Sequence, residues 1–241
     1  MSGPAGAVPM TVAIDGPAAS GKSSTAKWVA ERLGFRHVDS GALYRAATAM
    51  ALRTATPPEA WTPELVLGGV GAIALRPSAN SFDVHAGGES LEATMRGAEV
   101  TRNVSRVAQM AAVRGWVNAQ VRAAARGHSV VVDGRDIGTA VFPEADLKIF
   151  LVADPWERAR RRLVQQLGRR PTDEEVAEET GRLVQRDAKD QTQTVQAPDA
   201  VLIDTTYLTQ TEQVERIVAL ARSVAPRGVA ESPVDASGPI G

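Results

Sequence analysis

Cysteine is absent from the 241-residue chain, which excludes a disulfide framework and any thiolate metal site and is compatible with a reducing interior. Charge of one sign is lacking too. With 27 Lys and Arg against 28 Asp and Glu, the net charge is -1, which argues against a general nucleic-acid-binding surface and leaves anion recognition to local clusters. No apolar run approaches membrane-spanning length, and no internal repeat is visible. The Gly-, Ala- and Pro-rich opening lacks the basic segment and apolar core of a secretory signal. These absences predict a cytoplasmic protein, expected to be a monomer without nucleic-acid or membrane partners. Its length suits one α/β domain over 10–224, flanked by disordered tails at 1–9 and 225–241.

What the chain does carry is a glycine-rich loop. Gly16-Pro17-Ala18-Ala19-Ser20-Gly21-Lys22-Ser23 fits G-x-x-x-x-G-K-[ST], with an apolar, strand-forming stretch at 10–15 before it and helical spacing over 24–33 after it. In that context the glycines let backbone amides turn onto phosphate oxygens. Lys22 can reach the terminal phosphates, the Ser23 hydroxyl can hold a magnesium ion, and the helix dipole adds attraction. The loop specifies a phosphate donor but no acceptor, because switches, motors, transporters and small-molecule kinases share it.

Further along, 35–39 reads as a second strand followed by a helix with Ser40 as a candidate N-cap. This places Ser40, Gly41 and Arg45 at the carboxyl end of a strand, where ligands sit in α/β folds; an ordinary strand-to-helix turn is the alternative. Prolines break 54–63, a short helix follows at 64–70, and brief strands at 73–76, 82–85 and 89–91 predict a small antiparallel insert that projects and covers the acceptor. Residues 100–125 are predicted as one long helix on which Arg102, Arg106, Arg114 and Arg122 can be merely solvated.

The apolar strand 129–133 ends in Asp133-Gly134-Arg135-Asp136. An acidic residue at such a tip can orient magnesium and Arg135 can meet a phosphate, although two carboxylates around an arginine can also form a structural ion-pair turn. A fourth strand at 147–151 leads into a helix bearing Arg158, Arg160, Arg161 and Arg162, read either as a solvated face or as a mobile lid over the donor phosphates. Thr172 to Glu175 opens another helix with a capping box, near whose end Arg186, Asp187, Lys189 and Asp190 cluster. A fifth strand at 200–204 and a capped helix from 209 to about 224 complete the pattern.

Taken together, the P-loop through Ser24, Asp39-Ser40-Gly41-Ala42-Leu43-Tyr44-Arg45, Ser105 with Arg114, and Asp133-Gly134-Arg135-Asp136-Ile137-Gly138-Thr139 continuing to Phe142-Pro143 and Asp146 resemble the bacterial cytidylate kinases over 10–224. The resemblance implies a P-loop three-layer α/β fold with a five-stranded parallel sheet, a small antiparallel β insert at about 64–99 and a short helical lid at about 156–172. It implies ATP as donor, Mg²⁺ held at Ser23 and Asp133, and CMP or dCMP as acceptor. It further implies acceptor-phosphate contacts from Arg45, Arg135 and Arg186, pyrimidine recognition by Ser105, Arg114 and Asp136, and a ribose contact at Asp190, with Ser40 and Gly41 nearby. Lys22, Asp133 and Arg135, with Arg158, Arg161 and Arg162 from the lid, would serve the transfer itself. The chain departs from the pattern at Gln193, where an arginine is usual, and glutamine brings no charge. Competing readings are a kinase for UMP or AMP, a GTP-binding switch and a non-catalytic nucleotide module; the switch predicts an Asn-Lys-x-Asp segment, which is absent.

Overall fold

The computed structural model describes residues 8–224; the expected tails at 1–9 and 225–241 lie outside the described residues except for residues 8 and 9. The chain opens with β1 (Thr11–Asp15), the glycine-rich loop and α1 (Lys22–Leu33), then β2 (Arg36–Asp39) and α2 (Ser40–Ala51). Next come α3 (Pro63–Gly69), the short strands β3 (Ile73–Pro77), β4 (Phe82–Ala86) and β5 (Glu89–Ser90), and a single turn of helix, α4 (Glu92–Met95). The helices α5 (Ala98–Ala108) and α6 (Ala111–Ala125) lead to β6 (Val130–Asp133), and β7 (Leu147–Val152) follows. The chain then forms α7 (Pro155–Leu167), α8 (Asp173–Asp190), β8 (Val201–Asp204) and α9 (Gln210–Val224).

Five strands form one parallel sheet in the order β2-β6-β1-β7-β8, the arrangement expected of a P-loop α/β fold. Both faces are covered, because side chains alternate along each strand. Val12, Ile14, Val131, Ile149 and Leu151 pack with α1 and α9, whereas Ala13, Val38, Val130 and Val132 pack with α2 and α6. β1 lies between β6 and β7, the two strands that precede and follow the Asp133 loop, so the glycine-rich loop leaves the sheet where the strand order reverses.

The insert departs from expectation. Rather than projecting, Ile73, Val84, Ala86 and Leu91 are buried in the same core as Val38, Leu43 and Ala46. The backbone N–H of His37 donates to the Asn80 carbonyl at 2.8 Å, and His37 also bridges Ser81 in parallel register. The insert thus covers the open edge of β2, whose unpaired amides would otherwise face solvent.

The long helix predicted over 100–125 is two helices. Val100, Val104 and Val107 form one buried row and Val113, Val117 and Val121 another. The six-residue step from Val107 to Val113 breaks the three- and four-residue spacing, so one straight helix cannot bury both rows. The Thr172–Glu175 capping box forms as the sequence indicates, with reciprocal bonds of 3.3 and 2.8 Å, and fixes the turn between α7 and α8. This hairpin packs on the glycine-rich loop itself, with Ala159, Leu163, Val176 and Leu183 gathered around Ala18.

Candidate active site

The loop's backbone explains its composition. Gly16 has φ +148°, and a Cβ there would lie 2.2 Å from the Leu151 carbonyl oxygen, so β7 approaches too closely for any side chain. Gly21 has φ +88° just before α1, and Ala19, at φ +56°, is a non-glycine residue held in the left-handed region. Lys22 folds back over the loop, donating from Nζ to the Pro17 carbonyl at 2.5 Å and to Ser20 Oγ at 3.3 Å. Burial, reinforced by Arg135, holds its amine well below the ordinary lysine range, against the pull of Asp133 and Asp15. Ser24 turns its hydroxyl to the Gly21 carbonyl at 2.9 Å and to Gln210 at the start of α9.

The parallel register of β1 and β6 sets Asp133 beside Ile14, and the Asp133 carboxylate reaches the first turn of α1. Ser23 Oγ donates to Asp133 Oδ2 at 2.6 Å, while His37 Nε2 contacts Oδ1 at 2.7 Å. Burial pushes the Asp133 carboxyl up, but the His37 and Ser23 hydrogen bonds outweigh it and hold the group below the usual carboxylate range. His37 answers in kind: burial alone would lower it, and Asp133 raises it. Ser40 donates to the Asp133 carbonyl at 2.7 Å, and a Cβ on Gly41 would meet Asp39 Oδ1 at 3.0 Å. Asp39, the cross-strand partner of Asp133, caps α2 through the Ala42 N–H at 3.0 Å and is pushed up by burial and by Asp133.

Across from this pair lies a cluster of arginines with too few counter-charges. Arg135 and Arg186 each approach Asp190 Oδ2, with their Nε atoms at 3.7 and 3.8 Å, too long for hydrogen bonds. The Nε atoms of Arg135 and Arg186 and Oδ1 of Asp190 are buried without hydrogen-bond partners among the described residues. Burial brings Arg186 down to about 10, with Arg135, Arg45 and Arg162 pushing the same way against Asp190. Arg45 is likewise lowered by burial, with Arg162 and Arg135 adding to it and Asp39 opposing. Buried guanidinium groups with unused donors are what a phosphate dianion satisfies. Beside them runs a cleft of about 710 Å³ between α5 and the α7–α8 hairpin, lined by Ser105, Arg162, Arg186, Arg182 and Lys189 among others.

Arg114 stands at the joint between α5 and α6, where it donates to the Ala108 carbonyl at 3.2 Å and forms an ion pair with Asp136 Oδ2. Its guanidinium carbon lies 6.0 Å from the centre of the Tyr44 ring, whose hydroxyl burial pushes up to about 12. Ser105 lines the neighbouring cleft and makes no hydrogen bond to this pair. Gln193 follows α8 and donates its backbone N–H to the Asp190 carbonyl at 3.0 Å.

The three lid arginines of the sequence reading go to three destinations. Arg158 is buried and donates to the Ala18 carbonyl at 2.7 Å and to Asp187 Oδ2 at 2.6 Å, while Asp187 Oδ1 accepts the Ala18 N–H at 3.1 Å. Arg162 pairs with Glu179 at 2.9 Å and borders the arginine cluster. Arg161 turns toward the loop after β8, donating to the Thr205 and Thr206 carbonyls at 2.6 and 2.8 Å, and lines a separate cleft of about 440 Å³ with Glu157 and Tyr207. Asp187 and His37, to which the sequence reading assigned no role, are thus direct partners of the loop and of Asp133. His37 is buried and Asp187 half-buried, and no local spacing in the sequence marks either of them.

No group of three or more His, Asp or Glu side chains suited to a metal occurs among the described residues. A magnesium ion bound through phosphates and water needs fewer protein ligands. A hydroxyl and an ionised carboxylate 2.6 Å apart at Ser23 and Asp133 fit that donor set.

Comparison with known proteins places these features in context. The family model described as cytidylate kinase matches residues 12–223. The cytidylate kinase of Geobacillus kaustophilus is 45% identical over 214 residues, covering 88% of this chain and 96% of that protein. The cytidylate kinase of Chlorobaculum tepidum is 39% identical over 236 residues, covering 93% and 97% respectively.

Proposed function

The chain belongs to the cytidylate kinase family, and from that premise we propose that it transfers the γ-phosphoryl group of ATP to CMP or dCMP, giving ADP and CDP or dCDP. The observation that carries the acceptor half is the cluster of half-buried arginines around Asp190, whose buried Nε donors at Arg135 and Arg186 have no hydrogen-bond partner among the described residues. A monophosphate placed there receives charge-assisted bonds from Arg45, Arg135 and Arg186.

An oxygen of the acceptor phosphate attacks the γ-phosphorus directly, and the bond to the β,γ-bridging oxygen breaks as the new P–O bond forms. No covalent enzyme intermediate is needed, and the protein's work is alignment and charge neutralisation. The loop amides and Lys22 hold the donor phosphates, Lys22 exchanging its bond to the Pro17 carbonyl for phosphate oxygen. Mg²⁺, held through Ser23 and Asp133, would supply charge neutralisation across the donor phosphates. Arg158 and Arg162 lie on the side of α7 facing the loop and the arginine cluster, whereas Arg161 braces the loop after β8. The hairpin packed on Ala18 excludes water from the transfer path.

Base recognition falls to the Arg114–Asp136 pair, with Ser105 nearby and Asp190 toward the sugar. Together a guanidinium and a carboxylate can read the amino group and ring acceptors of cytosine. Arg114→Ala is expected to lower kcat/KM for CMP by about 10- to 100-fold and to narrow the preference over UMP, because it also leaves the half-buried Asp136 carboxylate without its ion-pair partner. The apparent KM for ATP is expected to stay within about twofold; parallel titrations of both substrates check this.

A coupled assay across CMP, dCMP, UMP and AMP tests the function as a whole. The expected order places CMP and dCMP first, and a clear preference for AMP, or ATP binding without ADP formation, would overturn the reading. No helix among the described residues is long and apolar enough to cross a membrane. We further propose that the protein works as a cytoplasmic monomer on small nucleotides alone.

A further inference from the structure

The turn that carries Asp136 is neither strand nor α-helix. Residues Ile137–Val141 form a single wide turn in which the Asp136 carbonyl accepts from Val141 N at 3.3 Å and the Ile137 carbonyl accepts from Phe142 N at 2.7 Å. Such a turn leaves backbone groups at both ends in need of outside partners. At the front, Asp15 forks across it: Oδ1 accepts the Ile137 N–H and Oδ2 the Gly138 N–H, each at 2.8 Å. At the back, Arg122 of α6 donates from Nε to the Val141 carbonyl at 2.9 Å and from Nη2 to the Ala140 carbonyl at 2.7 Å. The fit at the front is close, since a Cβ on Gly138 would lie 3.2 Å from the Lys148 side chain and 3.5 Å from Asp15 Oδ2.

We propose that Asp15, although joined directly to the glycine-rich loop, is a positioning residue for the acceptor base: its carboxylate fixes the turn that places Asp136, and Arg122 fixes the turn's other end. The inference rests on the reading of Asp136 as a base-recognising group. Asp15 is buried, and the charged groups around it are Asp136 on the turn and Lys22 on α1. Burial pushes its carboxyl up to about 6, and the N–H groups of Gly138 and Ile137 do more than Lys22 to hold it down. The carboxylate is therefore spent chiefly on the backbone of the turn and only secondarily on the donor loop.

Asp15→Asn keeps the shape but turns one oxygen into an NH₂ facing a backbone N–H, so one end of the fork has two donors and no acceptor. The expected result is a rise of about tenfold or more in KM and Kd for CMP and a narrower CMP-to-UMP ratio of kcat/KM, with KM for ATP within about twofold. A residue that merely shores up the neighbouring loop would show the reverse, a raised KM for ATP with CMP unmoved, and that result would overturn the proposal. Arg122→Ala, on the exposed side of α6, is expected to move the same CMP parameters in the same direction by a smaller factor. Should Asp15→Asn fail to fold, Arg122→Ala decides alone: unchanged CMP binding and base preference would sink the idea. Failure of the functional reading is distinguishable, because it appears in the unmodified protein as a preference for another acceptor.

Discussion

Lys22→Ala is expected to lower kcat by about a thousandfold, equivalent to about 4 kcal/mol of transition-state stabilisation, while the fold persists. Two features of the structure support both halves. The Lys22 amine lies over the loop, where it is satisfied by the Pro17 carbonyl and Ser20 Oγ. It is also buried enough that its charged form is disfavoured, so removal relieves a desolvation cost as it loses two hydrogen bonds. Thermal unfolding is therefore expected to shift by only a few degrees, as about 1 kcal/mol would produce in a chain of this size. Lys22→Arg is expected to rescue little, because a planar fork cannot occupy the position of a compact ammonium group. Near-normal turnover by Lys22→Ala in a single-turnover assay would remove the loop from the chemistry altogether.

Arg186→Met is expected to act in opposite directions on activity and stability. Arg186 is one of the half-buried arginines proposed to hold the acceptor phosphate, and losing its charge-assisted bonds should reduce kcat/KM for CMP by about 100-fold. Without substrate the same group is a burden: Arg45, Arg135 and Arg162 all disfavour its charge, and its contact with Asp190 is 3.8 Å long. A methionine of similar length fills the space without the repulsion, so Tm should rise by about 2–4 °C, corresponding to about 1 kcal/mol. Excess CMP should then stabilise the unmodified protein more than the variant, because the stability that binding adds grows with the logarithm of ligand concentration over Kd, and the variant's Kd is higher. A variant both less active and less stable would mean that Arg186 belongs to the scaffold.

Local chemistry was legible in the sequence wherever a few adjacent residues settle it. The glycine-rich loop, the apolar strands and the capping box at Thr172 each depend on short spacings, and each forms. The joint at Gln109 and Met110 was readable in principle from the Val107-to-Val113 step, but the small alanines on both sides blur the period. The arginines on α7 read as one group in the sequence, but Arg161 and Arg162 are successive helical residues about 100° apart and cannot share one target: Arg161 turns to the loop after β8 and Arg162 to Glu179. The resemblance brings Ser23 and Asp133 to one magnesium site although they lie 110 residues apart, whereas the Asp15 fork was hidden because its partners lie 122 and 123 residues away. Only the register of β1 against β6 and the turn after β6 bring them together.

That register also bears on how the chain comes together on the ribosome. β1 is flanked by β6 and β7, so Val12 has no sheet partner until Val131 and Leu147 have been made. At about 5–20 residues per second, a nascent chain would hold the glycine-rich loop for several seconds or more before its supporting strand emerges. β2, by contrast, finds the Asn80 carbonyl and the apolar side chains of the insert early, since His37 and Asn80 are close in sequence. The insert therefore gives the N-terminal segment a local structure in which to wait, and nucleotide capture becomes a late event that reports the arrival of β6.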